Sequence, residues 1–335
     1  MRKKNLKFSI LILTVLSLLI ITATGTGAAA SEIEEITIGY FPNITHAPAI
    51  VGVSENIFID HLNGIKINTR IFPNGSLFMN ALATNQIDLG YVGPGPAINR
   101  YLQGADVKAL ASASTGGTVL VTRSDFEYNS VTDLKDKIIA TPALGCTHDL
   151  LFRQLIKDHN LNTNRRGGSI DHRAQKPATM VGLFATKQLD AAVVSEPWAA
   201  RMESDLNSKV VVDWDQMPWN GKLPAALVVS SSEFINNNPE LIDNFLQAHQ
   251  KTVEYINNNP VQSSKIIQQQ IKEITRQELS IEIIERSMQR TNITSALDSS
   301  VVQKLADLSA ELGFIKGDPN LNGFIDSTYL NKITR

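Results

Sequence analysis

The sequence predicts an α/β protein built of two lobes, and three observations lead to that prediction. Short apolar runs alternate with segments of helical period from Ile36 onward, which is typical of βαβ units around a mostly parallel sheet. The alternation is interrupted at Gly116-Gly117 and then restarts, as it would where the chain enters a second lobe. The 335 residues, 43% of them hydrophobic, are enough for about two domains with a large core.

The first lobe is predicted from four strands and three helices. The run Ile36-Thr-Ile-Gly-Tyr40 has the composition of a buried strand, and further β-branched runs follow along the chain. Apolar residues recur at helical spacing between these runs. We expect strands at residues 36–40, 65–71, 87–92 and 107–113, and helices at residues 47–55, 77–85 and 97–103.

The second lobe repeats the pattern after the two glycines. Pro218, Gly221 and Pro224 make residues 214–224 a turn-rich segment that returns the chain to the first lobe, where residues 227–230 form a last strand. Within the second lobe we expect strands at residues 119–122, 137–140, 191–194 and 210–213, and helices at residues 147–158, 179–186 and 197–205.

Beyond the last strand the composition becomes that of amphipathic helices. Apolar residues between Leu241 and Ile256 fall near helical spacing, and prolines follow Asn-rich stretches, where they can open helices. We therefore predict that residues 31–114 and 227–335 form lobe 1 and that residues 115–226 form lobe 2. Two chain crossings between such lobes enclose a cleft that closes by a hinge motion.

The first thirty residues have the order of a secretory signal peptide. A basic start at Arg2-Lys-Lys4 precedes the apolar run, and Ala28-Ala-Ala30 resembles a cleavage site. An uncleaved anchor over residues 8–24 is the alternative, although the apolar run is shorter than the ~20 residues that span a bilayer comfortably. Both interpretations predict that the protein works outside the cytoplasm, in a periplasm or at the cell surface.

Charge and cysteine content exclude several classes of protein. The net charge is −2, and loss of residues 1–30 with their four basic residues lowers it to −6, which excludes a strongly basic nucleic-acid binder. The single cysteine, Cys146, excludes an internal disulfide and a multi-cysteine zinc site. The histidines are scattered and the phosphate-binding glycine motifs are absent, so we expect neither a metal nor a cofactor.

The turns that follow the predicted strands are the expected ligand-binding elements. Open α/β sheets bind ligands beyond the carboxyl ends of their strands, where helix N-termini present free N–H groups and a positive dipole. The plainer alternative is that residues such as Ser76 and Thr147 only cap their helices. The turns concerned are residues 40–46, 73–76, 93–96, 114–117, 141–148 and 195–198.

The spacing around Cys146 disfavours catalysis. Cys146, His148 and Asp149 are the residue types of a nucleophile, a base and an orienting group, but they lie within four residues, and Cys146 and His148 do not share a helix face. A thiol at a helix N-terminus is nevertheless expected to have a lowered pKa. His46 has no partner histidine at metal spacing and is more simply a hydrogen-bonding residue at a helix start.

Several stretches spread in order over the chain carry a more specific signal. Tyr40-Phe-Pro-Asn-Ile-Thr-His46, Gly93-Pro-Gly-Pro96 and Ser195-Glu-Pro-Trp198 lie within them. The full set is residues 38–49, 72–76, 81–97, 114–117, 188–199 and 311–314. Together they resemble the nitrate/sulfonate/taurine family of ABC-transporter solute-binding proteins. The resemblance implies the periplasmic-binding-protein type II fold, in which two α/β lobes joined by two crossings hold a ligand in the cleft between them.

The resemblance also implies a set of ligand-binding residues from both lobes. One turn departs from the family pattern, because Cys146 and His148 stand where we expect Asn and Gln, and this changes the donors that face a ligand. The implied ligand-binding residues are Tyr40, Asn43, Thr45, His46, Gly75, Ser76, Gly93, Pro94, Thr115, Gly116, Cys146, Thr147, His148, Glu196 and Trp198.

The resemblance implies a monomeric, non-enzymatic receptor that captures a small anionic or zwitterionic solute, of the sulfonate, taurine, nitrate or bicarbonate class. Its partners would be a membrane permease and the ATPase of an ABC importer. Binding energy is expected from N–H groups and hydroxyls, because no lysine or arginine lies in the turns. The alternative is an enzyme similar to the thiamine-pyrimidine synthases, or a binder of a pyrimidine precursor, on the same fold. The export signal and the single cysteine count against the enzyme.

Overall fold

The computed structural model describes residues 33–333, which contain two β-sheets with helices packed against them. We call the six-stranded sheet with its helices lobe 1 and the five-stranded sheet with its helices lobe 2. The predicted signal peptide and the alternative anchor lie outside the described residues. Within the described part of the chain, no helix is both long and apolar enough to cross a membrane.

The strands agree with the predicted ones to within a few residues, with two additions. β7 is a polar edge strand and β11 has three residues, so neither shows an apolar periodicity that sequence reasoning would detect. The strands are β1 Glu35–Tyr40, β2 Lys66–Ile71, β3 Leu89–Val92, β4 Lys108–Gly116, β5 Thr118–Thr122, β6 Ile138–Thr141, β7 Asp171–Ala174, β8 Ala191–Ser195, β9 Lys209–Val212, β10 Pro224–Ser230 and β11 Thr291–Ile293.

Three of the predicted helices begin two or three residues earlier than the apolar pattern indicates, because proline or glycine occupies their first turns. They are α1 Ala47–Ser54, α2 Ile57–His61, α3 Gly75–Ala83, α4 Pro94–Leu102, α5 Thr147–Lys157, α6 Pro177–Ala185, α7 Trp198–Leu206, α8 Ser232–Asn237, α9 Pro239–Asn258, α10 Pro260–Thr275, α11 Ile281–Gln289, α12 Ser299–Glu311 and α13 Ser327–Ile333.

Both sheets are mixed rather than mostly parallel. The order in lobe 1 is β11-β4-β10-β3-β1-β2, with β1 parallel to β2 and β3, and β10 antiparallel to β3 and β4. The order in lobe 2 is β7-β6-β8-β5-β9, with β6 parallel to β7 and β8, and β5 antiparallel to β8 and β9. β5 and β10 each enter a sheet from the other lobe, which reverses their direction, and the short β11 is also antiparallel to its neighbour β4.

The first crossing between the lobes is only one residue long. β4 ends at Gly116 and β5 begins at Thr118. The glycines have φ of +75° and +66°, in the left-handed region, and the Gly117 N–H donates to the Arg290 carbonyl at 2.7 Å. The return crossing leads into β10 at Pro224. The exact residue limits of the two lobes stay a prediction.

Apolar side chains from the strands pack against the flanking helices in each lobe. In lobe 2, Val119 and Val194 pack with Met180, Phe184 and Met202 of α6 and α7. In lobe 1, Phe58 of α2 stacks on Phe245 of α9 with ring centroids 5.0 Å apart, so the C-terminal helices complete the core of lobe 1. The strand-end turns are thereby held on a rigid frame.

Candidate functional site

A cavity of about 430 Å³ lies between the two lobes. Its walls include the turns that follow β1, β3, β6 and β8, together with the C-terminal end of α10. The volume falls in the range of pockets that enclose whole organic molecules, roughly 300–1,000 Å³. The strand-end turns therefore meet at one site, as expected for open α/β sheets.

Many of the predicted ligand-binding residues line this cavity, and they come from both lobes. Lobe 1 contributes the turn after β1 and the starts of two helices, and lobe 2 contributes the start of α5 and the start of α7. The residues are Asn43, Thr45, His46, Gly75, Gly93, Cys146, Thr147, His148 and Trp198. Their direct contact with a ligand stays a prediction.

The other predicted residues do not line the cavity. Tyr40 is buried at the end of β1, and Pro94 is buried in the first turn of α4. Ser76 is exposed and borders a smaller neighbouring groove. Thr115 and Gly116 lie at the first crossing, where the Thr115 hydroxyl accepts a hydrogen bond from the Asn292 amide at 3.2 Å. The last predicted residue that does not line the cavity is Glu196.

Glu196 belongs to a buried ion cluster instead of the cavity wall. Its carboxylate is fully buried, lies 3.1 Å from Arg290 Nη1 and accepts hydrogen bonds from the Ser287 hydroxyl and the Ala200 N–H. Burial raises the pKa of Glu196, and the hydrogen bonds and Arg290 oppose that shift. Arg290 also contacts Glu203. The predicted assignment of Glu196 to the ligand pocket is therefore not supported by the position of its carboxylate.

The capping residues differ from the ones that the sequence indicates. Asn74, not Ser76, caps α3, because its side-chain oxygen accepts the Leu77 N–H at 3.0 Å. Cys146 holds the N-cap position of α5 without a side-chain hydrogen bond to the helix. Thr147, the first residue of α5, uses its hydroxyl oxygen to accept the Gly95 N–H of lobe 1 at 3.1 Å. Thr147 therefore joins the lobes and does not cap its helix.

Sequence reasoning missed most of the apolar wall of the cavity. The wall includes Phe41, Ile71 and Phe72 of lobe 1 and several prolines. It also includes Thr275 and Gln277, which lie at and just after the end of α10 in the C-terminal tail, our name for the chain that follows β10. From the sequence alone, the aromatic residues beside the first turns could be interpreted only as packing residues. The tail residues carry no local signal, because only the packing of α10 brings them to the cleft.

Lys176 corrects the expectation that no cation reaches the site. It lies in the loop between β7 and α6 and lines the cavity. It is exposed and is the only lysine, arginine, aspartate or glutamate among the residues that line this cavity, and it makes no ion pair within residues 33–333. The loop was not among the predicted turns because β7 lacks an apolar pattern.

The two histidines of the cavity are neutral at physiological pH. Burial lowers the pKa of His46 to about 3, with a smaller contribution from His148, and burial lowers the pKa of His148 to about 4. His46 Nδ1 accepts the Phe41 N–H at 3.5 Å, so the proton of its neutral ring lies on Nε2. Both rings therefore offer hydrogen bonds without charge.

Cys146 differs from the expectation of a lowered thiol pKa. Burial, together with the nearby Asp149 carboxylate, raises the pKa of Cys146 to about 12. Asp149 does not orient His148, because it pairs with Arg153 at 2.8 Å and accepts the Gly145 N–H at 2.7 Å. The three residues do not form a nucleophilic site.

The lobes contact each other on both sides of the cavity. The Trp198 ring nitrogen donates to Asn43 at 3.4 Å near the first crossing. On the opposite side, Lys157 of α5 pairs with Glu311 of α12 at 2.6 Å, and Arg166 donates to the Leu312 carbonyl at 2.6 Å. These contacts hold the two lobes together beside the cavity.

No three His, Cys, Asp or Glu side chains come together as metal ligands anywhere in the described part of the chain. The cavity thus combines apolar walls, neutral hydrogen-bonding groups and one lysine. These are the features of a site that encloses a small solute.

A sequence model of the NMT1-like family matches residues 29–270, which is most of the chain. The chain belongs to the NMT1-like family. Curated relatives include a Brucella abortus protein described only in general terms as a binding protein, 24% identical over 211 residues. The taurine-binding periplasmic protein of Escherichia coli is 23% identical over 221 residues, or 66% of each chain. The match covers about 63% of the length of the Brucella relatives.

Solved structures share the architecture of this NMT1-like protein at low sequence identity. The alkanesulfonate-binding protein SsuA of Xanthomonas axonopodis, bound to MOPS, superimposes with a TM-score of 0.75 at 19% identity and covers 88% of this chain and 99% of its own. The nitrate-binding protein NrtA of Synechocystis gives 0.78 at 14% identity, with 90% and 89% covered. The predicted family resemblance and two-lobed fold are confirmed.

Proposed function

We propose that this protein is the extracytoplasmic solute-binding component of an ABC importer. It captures a small anionic or zwitterionic solute between its lobes and presents the closed form to a membrane permease, which acts with its ATPase. The cavity enclosed by strand-end turns of both lobes is the observation that carries this proposal. Its similarity to taurine-binding, alkanesulfonate-binding and nitrate-binding proteins supports it.

The cavity favours an organic solute over a small inorganic anion. Its volume is about 430 Å³, and Phe41, Phe72 and Trp198 give it apolar and aromatic walls. A nitrate or bicarbonate ion would leave much of that wall uncovered, whereas an organic sulfonate places apolar atoms against it. Lys176 supplies one positive charge for the acid group.

The location and partners follow from the same function. A signal peptide at residues 1–30 would export the chain, which would then work as a monomer in the periplasm or at the cell surface. Delivery requires that the permease distinguish the closed form, and the interlobe contacts of Thr147 and Lys157 exist only when the lobes meet.

Thermal unfolding against a panel of solutes tests the proposal. The panel is taurine, butanesulfonate, MOPS, sodium nitrate and sodium bicarbonate, each titrated into protein that has been unfolded and refolded to remove carried solute. A solute present at a hundredfold excess over its Kd stabilises the fold by about 2.7 kcal/mol. We expect at least one organic sulfonate to raise the unfolding temperature. If no member of the panel raises it, the proposed class of solute is refuted.

The enzyme alternative has no specific support. A thiol with a pKa of about 12 is protonated at neutral pH and is a poor nucleophile. If the alternative ligand class were correct, a pyrimidine precursor would raise the unfolding temperature in the same titration and the sulfonates would not.

A further inference from the structure

We infer that Ser195 and His148 form a hydrogen-bonding subsite in lobe 2 that receives the head group of a singly charged organic oxyacid and discriminates against doubly charged solutes. The inference rests on the proposed function. It adds Ser195 as a specificity-determining residue, pairs it with His148 of the expected set, and adds a charge rule. Ser195 was not among the predicted ligand-binding residues.

Two unsatisfied polar atoms carry the inference. Among the described residues, a few buried side-chain atoms have no hydrogen-bond partner, and two of them, His148 Nε2 and Ser195 Oγ, belong to residues that line the cavity. Ser195 is 1% exposed. A buried polar group without a partner destabilises the fold, so folded proteins rarely retain one without a reason. A ligand that bonds both atoms would remove that destabilisation.

The positions of the two residues place them on the same side of the cavity. Ser195 is the last residue of β8, and His148 lies in the first turn of α5, which follows β6. β6 and β8 are neighbours in the sheet of lobe 2. The neighbouring hydroxyl of Thr147 already serves the contact with Gly95, which leaves Ser195 and His148 for the solute.

The charge of the cavity sets the second half of the inference. His46 and His148 are neutral, and Lys176, which is exposed, is the only side chain with a formal charge on the cavity wall. One positive charge balances one negative charge on the solute. A second negative charge would lie against the apolar wall without a counter-charge, and such a placement is costly.

The hydrogen-bonding chemistry agrees with an oxyacid head group. A serine hydroxyl donates one hydrogen bond, and a neutral imidazole donates one from whichever nitrogen carries the proton. A sulfonate or carboxylate accepts both from adjacent oxygens. Unlike a lysine pair, these donors give affinity without adding charge, so they preserve the selection for a single negative charge.

Three solutes with one carbon chain length test the charge rule. Calorimetric titration would compare butanesulfonate, 1,4-butanedisulfonate and butanesulfonamide, which carry charges of −1, −2 and 0 at neutral pH. We expect butanesulfonate to bind at least tenfold more tightly than either of the others. Equal or tighter binding of the disulfonate would overturn the charge rule.

Variants of the two residues test the subsite. Ser195→Ala and His148→Leu should each weaken butanesulfonate binding about tenfold, as expected for the loss of a hydrogen bond to a charged group. His148→Gln keeps a side-chain amide that can donate and should restore most of the affinity. Ser195→Ala should leave the thermal stability of the solute-free protein unchanged or slightly higher, because it removes an unsatisfied buried hydroxyl.

Ser263→Ala is the matched control. Ser263 is also buried and its hydroxyl is also unsatisfied, but it lies in α10 away from the residues that line the cavity. We expect the Ser263→Ala protein to bind butanesulfonate as tightly as the unmodified protein does. Binding by the unmodified protein with no loss in Ser195→Ala or His148→Leu would overturn the subsite alone, whereas no binding of any probe or panel solute by the unmodified protein would refute the proposed function as well.

Discussion

The Arg290 guanidinium lies 3.1 Å from the carboxylate of Glu196, although the two residues are 94 positions apart in the chain. Glu196 stands at the start of the turn that leads into α7 of lobe 2, and Arg290 follows α11 of the C-terminal tail. The Arg290 carbonyl also accepts the Gly117 N–H of the first crossing. This ion pair therefore fixes the tail to lobe 2 beside the point where the lobes are joined.

Loss of Arg290 should be strongly destabilising. Arg290→Met leaves the fully buried Glu196 carboxylate without its counter-charge, and removal of one partner from such a pair costs about 3–5 kcal/mol. Chemical denaturation at pH 7 would measure the loss. Glu196→Gln in the same chain should recover part of it, because the uncompensated charge is then absent. A control variant at an exposed ion pair, Lys66→Ala, should be indistinguishable from the unmodified protein.

His249 should make the stability of the fold depend on pH in the acidic range. Burial lowers its pKa to about 4 from an ordinary value of 6.5, while its ring bonds the Tyr91 hydroxyl at 3.0 Å and the Ser112 carbonyl at 2.8 Å. Below pH 6.5, His249 binds a proton in the unfolded chain but not in the folded protein. The free energy of unfolding therefore falls as the pH falls from 6.5 toward 4. The loss at pH 5 is about 2 kcal/mol for one such histidine.

Comparison with His249→Gln isolates that contribution. Buried carboxyls such as Glu196 have raised pKa values and act in the opposite direction, so the slope of the unmodified protein alone does not identify the histidine. We expect the variant to be less stable at pH 7 and to lose less stability between pH 7 and pH 5. Parallel pH profiles for the two proteins would contradict the assignment.

Gly117 should tolerate no side chain. Its φ is +66°, and a Cβ added there would lie 2.8 Å from the Thr291 hydroxyl and 2.9 Å from a Thr45 methyl group. Gly117→Ala is expected to cost about 2 kcal/mol or more, from the left-handed backbone together with the close contacts. Gly182→Ala is the matched control: Gly182 lies inside α6 with open space around it, and alanine there should add up to about 1 kcal/mol of stability.

Lys176 should contribute to solute affinity through its charge. Lys176→Met is expected to weaken butanesulfonate binding about tenfold, since Lys176 is the only residue with a formal charge on the cavity wall. Added salt should weaken binding to the unmodified protein more than binding to the variant. Lys187→Met removes a lysine that is paired with Asp125 outside the cavity, and its affinity should not change. An equal loss in both variants would indicate a general effect of net charge.

The positions of the strand-end turns were predictable from local pattern. β1, β3, β6 and β8 are apolar runs whose ends are marked by glycine, proline or a polar residue, so the turns after them follow directly. The turns that contain Asn43, His46 and Trp198 were predicted on that basis, the family resemblance implied these three residues as ligand contacts, and the structure places them on the cavity wall. The motif resemblance added the expectation that the two sets of turns face each other, and the fold agrees.

The electrostatics of the site were not predictable in the same way. The family resemblance implies Glu196 as a ligand contact, but Glu196 pairs with Arg290, which follows α11 far along the chain. A thiol at a helix start is expected to have a lowered pKa, but burial and Asp149 raise the pKa of Cys146. Both outcomes depend on which groups pack around a side chain, and desolvation by those groups outweighs the local helix dipole.

The sequence by itself determined the alternation of strands and helices, the two-lobed layout and the turns that bound the cleft, because hydrophobic period and turn chemistry are local properties of the chain. Only the tertiary structure decided that Lys176 lines the cavity, that Gln277 of the tail joins it, and that the Glu196 carboxylate lies against Arg290. Those arrangements come from contacts between residues far apart in sequence, and the free energy of burying or pairing a polar group is set by its neighbours in space.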